Sequence, residues 1–277
     1  MTYVNFNGKI ISQKKLSLTS ENRAFRYGDA IFESIRMFDG NIPFIKKHFL
    51  RLKKSMKILQ MLPKKNFSAS YFEEQLKTLA QKNNFSNARF RLSIFRNDGG
   101  FYTPETNEIS FLMEAFPLSE NKFKLNSVGY KIGLFDEIQK INSSISSIKS
   151  ANALLFVMAS IYKTKHGLDE CFILNDKKNI SESITSNVFI VKNGKILTPS
   201  INEACVSGIM RDKLIEIAKK NKLIVLEKKI SEQDILKADE VFLTNSINGI
   251  RWVSAYKNKR YNNKISFFLT EKLNDSL

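Results

Sequence analysis

Apolar and polar positions follow recognisable periods along this chain, and each period predicts an element. Residues 3–7 and 9–12 flank Asn7-Gly8, a two-residue hairpin signal, so the chain is expected to open as paired strands. The apolar run at 30–38 meets Asp39-Gly40 and then 42–45, which reads as a second hairpin. Over 46–62 the period changes. Phe49, Leu52, Met56 and Leu59 recur at spacings of three and four, which predicts an amphipathic helix closed by Pro63. A second helix is expected over 70–82. Strands are expected over 88–95 and 108–116, with the turn-rich Asn97-Asp98-Gly99-Gly100 between them.

The polar segment 119–126 has no apolar period and reads as a linker between a smaller first domain, residues 1–120, and a larger second one, residues 127–277. Beyond it helices and strands alternate. The pattern predicts helices over 152–165 and 208–220 and a short one after Ser231. Strands are predicted over 170–174, 188–192, 223–227 and 240–243, with an Asn193-Gly194 turn leading to a short strand ending at Leu197. There is no internal repeat or low-complexity tract, and the fold class is mixed α/β.

Composition narrows the function classes. With 277 residues, 43% hydrophobic and 26% charged, the chain resembles an ordinary globular protein able to bury one large core or two smaller ones. No apolar run approaches the roughly 20 residues that span a bilayer, and the start Met1-Thr2-Tyr3-Val4-Asn5 lacks a basic segment followed by an apolar one. The expectation is a cytoplasmic protein with no membrane partner. Cys171 and Cys205 lie far apart and form no Cys-x-x-Cys pair, which suits a reducing compartment. A net charge of +17 invites a nucleic-acid reading, but the lysines are dispersed and no zinc-finger or RNP motif occurs. A solvated basic surface that attracts small anions is the better account, with no nucleic-acid partner. His48 and His166 have no Cys or carboxylate cluster at ligand spacing around them, so no metal is assigned.

The candidate chemistry lies in a few segments. Lys149 ends the serine-rich run Ser143-Ser144-Ile145-Ser146-Ser147-Ile148, just before an apolar helix, and by itself it would pass for one surface lysine among 44 basic residues. It is followed, in order, by Glu182-Ser183-Ile184-Thr185-Ser186-Asn187-Val188-Phe189, by Thr198-Pro199, and by Gly208-Ile209-Met210-Arg211. This ordered set resembles the signature of the class IV pyridoxal-phosphate enzymes. The segments Phe25 to Arg36, His48 with Arg51-Leu52, and Ala238 to Ser246 look like the same family, so the resemblance covers almost the whole chain.

The resemblance implies a two-domain fold of the D-amino-acid aminotransferase-like type, with pyridoxal 5'-phosphate in the cleft between domains, and a homodimer. It implies that Lys149 carries the cofactor as a Schiff base and then moves a proton as the freed amine. Glu182 would face the pyridine nitrogen, with Asn187 in the same motif. Arg51, the backbone at Gly208, Ile209 and Met210, and Ser246 would bind the phosphate. Many relatives have threonine where this chain has Met210, so only the backbone donor carries over there. His48 resembles a structural histidine near the site. On the substrate side the resemblance points to Arg36; Arg91 and Arg96 are further cationic candidates on the adjoining strand and turn, and Phe32, Ser246 and Ile247 complete the candidate substrate contacts.

The family divides by reaction. Gly208-Ile209-Met210-Arg211, Thr244-Asn245-Ser246 and the stretch from Phe95 to Tyr102 look most like 4-amino-4-deoxychorismate lyases, which release 4-aminobenzoate and pyruvate. Yet Phe101-Tyr102-Thr103 stands where lyases usually carry a carboxylate-gripping arginine. Arg36 matches the branched-chain enzymes, although Ala153-Leu154-Leu155 occupies the place of their usual tyrosine. Transfer of the amino group of an amino acid, L and branched-chain in preference, to a 2-oxo acid ranks first. The lyase ranks second and a D-amino-acid aminotransferase third.

Overall fold

The computed structural model describes residues 2–63, 65 and 67–277. Contacts divide the chain into two units, Met1–Asn121 with Ile148–Asn152, and Lys122–Ser147 with Ala153–Leu277. Both mix helices and strands.

The first unit opens with the hairpin of β1 (Tyr3–Phe6) and β2 (Lys9–Ser12), in which Asn7 and Gly8 take positive φ of 52° and 87°. A five-residue helix, α1 (Arg23–Tyr27), leads to β3 (Ala30–Met37). Two helices follow, α2 (Ile45–Ile58) and α3 (Ala69–Lys82), then β4 (Ala88–Arg96) and β5 (Ile109–Pro117). The sheet order is β2-β1-β5-β4-β3, antiparallel throughout. Alternation along β3 sends Ile31, Ile35 and Met37 into a core with Leu52 and Met56 of α2, Phe72, Leu76 and Leu79 of α3, and Phe90, Leu92 and Ile94 of β4.

Two expectations change here. The hairpin expected over 30–45 is a strand followed by a helix: Asp39 and Gly40 do turn the chain at positive φ, but a single bridge, Phe38 to Asn41, is all that pairs beyond it. Pro43 has no N–H to give a ladder, and Ile45 begins α2. The first helix also stops at Ile58, earlier than residue 62, because Gln60 goes left-handed at φ 55° and Met61 N–H returns to the Met56 carbonyl at 2.9 Å.

The second unit contains β6 (Tyr130–Lys140), α4 (Leu154–Lys165), β7 (Glu170–Asn175), β8 (Ile180–Ser183), β9 (Asn187–Lys192) and β10 (Lys195–Pro199). It continues through α5 (Ile209–Lys220), β11 (Val225–Lys228), α6 (Glu232–Leu236), β12 (Glu240–Asn245), β13 (Gly249–Tyr256), β14 (Lys259–Arg260) and α7 (Lys264–Asn274). Its sheet runs β11-β10-β9-β12-β13-β6-β7-β8, with β14 on β13. The pairs β10–β11, β13–β6 and β6–β7 are parallel and the rest antiparallel. Strands β7, β8 and β12 are buried along nearly their whole length and read as continuous apolar or small-polar runs. No helix of the described residues is long and apolar enough to cross a membrane.

The sequence reading puts Lys149 in the C-terminal domain, whereas contacts group it with the first unit. Ile148 is buried in that unit's core. The backbone beside it is stitched to β3: Phe32 N–H donates to the Lys149 carbonyl at 2.9 Å, and Ala151 N–H to the Ala30 carbonyl at 2.9 Å.

Candidate active site

In the first unit, one face of the sheet carries three of the candidate substrate residues, Phe32, Arg36 and Arg91. Phe32, Ser34 and Arg36 alternate onto it from β3, and their β4 partners across the ladder are Ser93, Arg91 and Arg89. The Lys149 Nζ lies 4.3 Å from the Phe32 ring centroid, and the Arg91 guanidinium carbon 3.8 Å from the same ring. The candidate reactive amine and a guanidinium thus both lie against one aromatic side chain. Burial lowers the Arg91 pKa, Glu114 at 4.0 Å opposes the shift and Arg89 adds to it, while Arg91 Nε donates to Ser93 Oγ at 3.2 Å.

The other two arginines of the sequence reading have different partners. Arg36 donates to the Glu120 carbonyl at 2.9 Å and lies over Phe38 at 4.6 Å. Arg96 is committed to the fold: it donates to Asp29 Oδ2 at 2.9 Å, to the Leu59 carbonyl at 2.7 Å, and to Asn107 Oδ1. Asp29 also accepts from Arg23, whose guanidinium holds the carbonyls of Gly99 and Phe101 at 3.0 and 2.7 Å. Two arginines and one aspartate therefore fix the turn after β4.

The opposite face of β3 points into the core and carries one carboxylate, Glu33. Arg51 grips it through Nε to Oε1 at 2.8 Å and Nη2 to Oε2 at 2.5 Å, and the Nδ1–H of His48 donates to Oε2 at 2.7 Å. Burial would raise the Glu33 pKa, but the Arg51 charge and the hydrogen bonds from His48 and Arg51 outweigh it and hold the carboxyl at about 2. Burial pushes His48 below its ordinary value against the pull of Glu33, and the charges of Arg51 and Lys149 act in the same direction as burial. A neutral imidazole and an anionic carboxylate fix the orientation of the Arg51 guanidinium.

In the second unit, Glu182 is 4% exposed on β8. Its Oε1 pairs with the ammonium of Lys140 at the end of β6, and its Oε2 accepts Val206 N–H at 3.0 Å. Asn187, at the start of β9, donates through Nδ2 to the Val206 carbonyl at 2.9 Å. Its Oδ1 fills the space a Cβ on Gly208 would need, only 1.8 Å from that position, so glycine is required there for packing as well as for any close approach. Gly208 is the N-cap of α5 and no side chain caps the helix, which leaves its first amides for an anion. The Met210 side chain is buried, so only its backbone can face a ligand. Arg211 is committed to structure, donating to the Pro199 carbonyl at 2.9 Å and to Glu227 at 2.7 Å.

Ser246 sits in the turn after β12, where Asn245 Oδ1 accepts the amides of Ile247 and Asn248 at 3.0 and 2.8 Å. Two residues before it, Thr244 stands opposite Asn187 on the ladder, and its buried hydroxyl has no hydrogen-bond partner among the described residues. The sequence reading assigned no role to Thr244, Lys140, Glu33 or Glu170. Glu170 holds the turn after Glu182 by accepting from Ile184 N–H at 3.1 Å and Thr185 Oγ1 at 2.9 Å, and burial raises its pKa against those bonds. No local sequence signal marks these partners, which the fold brings together from 14 to 42 positions apart. Among the described residues no group of three or more His, Cys, Asp or Glu side chains is placed to hold a metal ion.

A family profile described as amino-transferase class IV matches residues 30–256, a span that includes Lys149, Glu182 and Gly208. The chain belongs to the class IV aminotransferases. As a class IV aminotransferase it is 31% identical, over 98% of its own length and 94% of the relative's, to a Methanocaldococcus jannaschii protein named a branched-chain-amino-acid aminotransferase. The crystal structure of an Escherichia coli branched-chain amino acid aminotransferase superposes with a TM-score of 0.88 at 25% identity, covering 98% of this chain and 92% of that one. A Legionella pneumophila protein described as a 4-amino-4-deoxychorismate lyase shares the fold, with a TM-score of 0.87 at 24% identity over 96% and 97% of the two chains. Likeness in fold does not separate the class IV reactions, so the site has to.

The groups of this class IV chain suit pyridoxal 5'-phosphate. In the first unit an oriented guanidinium suits a phosphate ester and a lysine amine suits an aldehyde; in the second unit, taken by itself, an uncapped helix start and an unpartnered buried hydroxyl suit a phosphate ester, and a buried carboxylate with lone pairs to spare suits a ring N–H.

Proposed function

We propose that this chain transfers the amino group of an L-amino acid with an apolar, branched side chain to a 2-oxo acid, with pyridoxal 5'-phosphate attached to Lys149. The observation that carries the reading is the placement of Lys149 and Arg91 on the Phe32 ring. An amino acid of this class offers a carboxylate for a guanidinium and an aliphatic body for an aromatic ring, next to the amine that must move its α-proton. Arg91 is preferred as the carboxylate ligand, because Arg96 is engaged by Asp29, Asn107 and Leu59. Arg36 remains a second candidate, two positions along β3 from Ser34 on the same face.

When bound, the cofactor supplies a reactive carbonyl and a ring that stabilises negative charge at the substrate α-carbon. The chain supplies the rest. Lys149 Nζ would take the proton from the substrate α-carbon and hold it during the transfer. Glu182 would accept from the ring N–H and so favour the charge the ring must carry. The phosphate would be held by Arg51 of the first unit and, from the second, by the amides of Ile209 and Met210 and the hydroxyls of Ser246 and Thr244, while Phe32 and Ile247 would shield the reacting atoms from water. Asn187 acts by fixing Val206 and Gly208.

The test is to mix the purified, cofactor-loaded protein with L-leucine, L-glutamate or D-alanine singly, without a 2-oxo acid, and to assay conversion of the cofactor to pyridoxamine phosphate. Conversion by L-leucine is expected. Conversion by D-alanine alone would replace this reading by the D-specific one. No conversion, with pyruvate released from aminodeoxychorismate, would replace it by the lyase.

We also propose a homodimer. Helix α4 buries only Ala159, while Leu154, Val157 and Ile161, on one side at i, i+3 and i+7, are 80%, 50% and 57% exposed. An apolar stripe of that kind marks an interface, and twofold pairing is the commonest arrangement for one chain. A Leu154→Lys, Ile161→Lys variant is expected to have half the mass of the parent by light scattering. An unchanged mass would exclude this face.

A further inference from the structure

The groups that would meet the two ends of the cofactor are joined by a network within the second unit, and the network starts at a residue no motif contains. Val206 lies in the irregular stretch between the 3-10 turn at Ile201–Glu203 and α5. Both of its backbone groups are held by side chains: its N–H by Glu182 and its carbonyl by Asn187. Two residues on, Gly208 packs against the same Asn187 and starts a helix that no side chain caps. Glu182 in turn has a single charged partner in the network, the Lys140 ammonium. That side chain is 13% exposed, and Lys140 Nζ lies 5.6 Å from the Phe156 ring of α4. Lys140 ends β6 just past an irregularity in its register with β7, which carries it opposite Asn175.

We propose that Lys140 is a positioning residue. By pairing with Oε1 it fixes the Glu182 carboxylate so that Oε2 faces Val206 N–H, and through Val206 it sets the loop that begins α5. The physical argument is one of charge and burial. A carboxylate 4% exposed has little water to compensate it, and its side chain can rotate about three bonds. A cation on one oxygen selects the rotamer that leaves the other on the Val206 amide. The nitrogen-facing carboxylate and the phosphate-facing helix start thus become one unit with a common geometry. This rests on the reading of Glu182 and the α5 amides given above. The chain-internal part of it, from Lys140 to Val206, does not need the cofactor.

The experiment compares Lys140→Met, Lys140→Arg, Glu182→Gln and the Lys140→Met, Glu182→Gln double variant. Amide hydrogen exchange at Val206 is read in the cofactor-free proteins, and affinity for pyridoxal 5'-phosphate is then measured in each. In Lys140→Met, Val206 should exchange roughly tenfold faster, about the worth of one charge-assisted hydrogen bond, and Lys140→Arg should restore protection. In the Glu182→Gln background the methionine should add little, because the lysine acts only through that carboxylate. Cofactor affinity should fall roughly tenfold in Lys140→Met and recover in Lys140→Arg. A merely structural lysine would instead lower stability without changing exchange at Val206. That result, or a full effect of the methionine in the Glu182→Gln background, overturns the proposal. If Val206 loosens as expected while cofactor affinity stays unchanged, the positioning role stands and the assignment of Glu182 to the cofactor is what fails.

Discussion

Lys149→Ala is expected to abolish covalent cofactor attachment and to cut turnover by about four orders of magnitude or more, while leaving a folded protein. The loss is large because the amine has two duties, holding the cofactor and moving the proton, and no other described lysine is recorded on the Phe32 ring. The fold is expected to survive because the segment is held by backbone and by its neighbour. The Lys149 carbonyl accepts Phe32 N–H, Ala151 N–H reaches Ala30, and Ile148 is buried in the core. Alanine keeps all three. Among what it gives up is the ammonium over the ring, a contact worth about 0.5 to 1 kcal/mol. The check is borohydride reduction followed by peptide mass analysis: the parent gains the cofactor's mass on the peptide containing residue 149, and the variant does not. A variant that turns over at a comparable rate would remove Lys149 from the mechanism.

That lysine also shows how legible the chain was. Nothing local distinguishes it, and only the order of the later segments, Glu182 to Phe189 and then Gly208 to Arg211, singled it out. Helices α2, α3 and α5 were readable because one face of each is regularly apolar, as the buried Leu52, Met56, Leu76, Leu79, Leu214 and Ile217 show. Strand β6 was not, because Asp136, Glu137, Gln139 and Lys140 crowd its second half and only Ile132 and Phe135 are fully buried. Its polar end is the part that brings Lys140 to Glu182. Strand β8 is four residues, Ile-Ser-Glu-Ser, with no apolar period, and the start of α7 at Lys264 has no side-chain cap to announce it. Arg36 matched the branched-chain enzymes, but nothing in the sequence ranked Arg91 against Arg96. The fold separates them, since alternation puts Arg91 on the Phe32 face while the turn after β4 takes up the guanidinium of Arg96. Pairings between residues 18 or 42 positions apart, such as Glu33 with Arg51 or Lys140 with Glu182, leave no trace in spacing.

Glu33→Gln should cost the cofactor-free protein about 3 kcal/mol near neutral pH, one of the largest single effects on stability available in the first unit. The carboxylate is 2% exposed and carries the Arg51 guanidinium and the His48 ring, so a neutral amide leaves a cation held in the core without its counter-charge. The pH dependence has a definite sign. The folded-state value of Glu33 is about 2 against an ordinary 4.5, so its contribution is complete above 4.5 and is lost as pH falls from there towards about 2. His48 is depressed from 6.5, so its unfolded form gains a proton first, and stability begins to fall below that pH as well. Urea unfolding of the parent should therefore weaken in two stages on acidification, while Glu33→Gln keeps the first and lacks the second. Near pH 2 the two proteins should converge. A parent and variant separated by the same amount at every pH would mean that the charge on Glu33 is not what holds Arg51 in place.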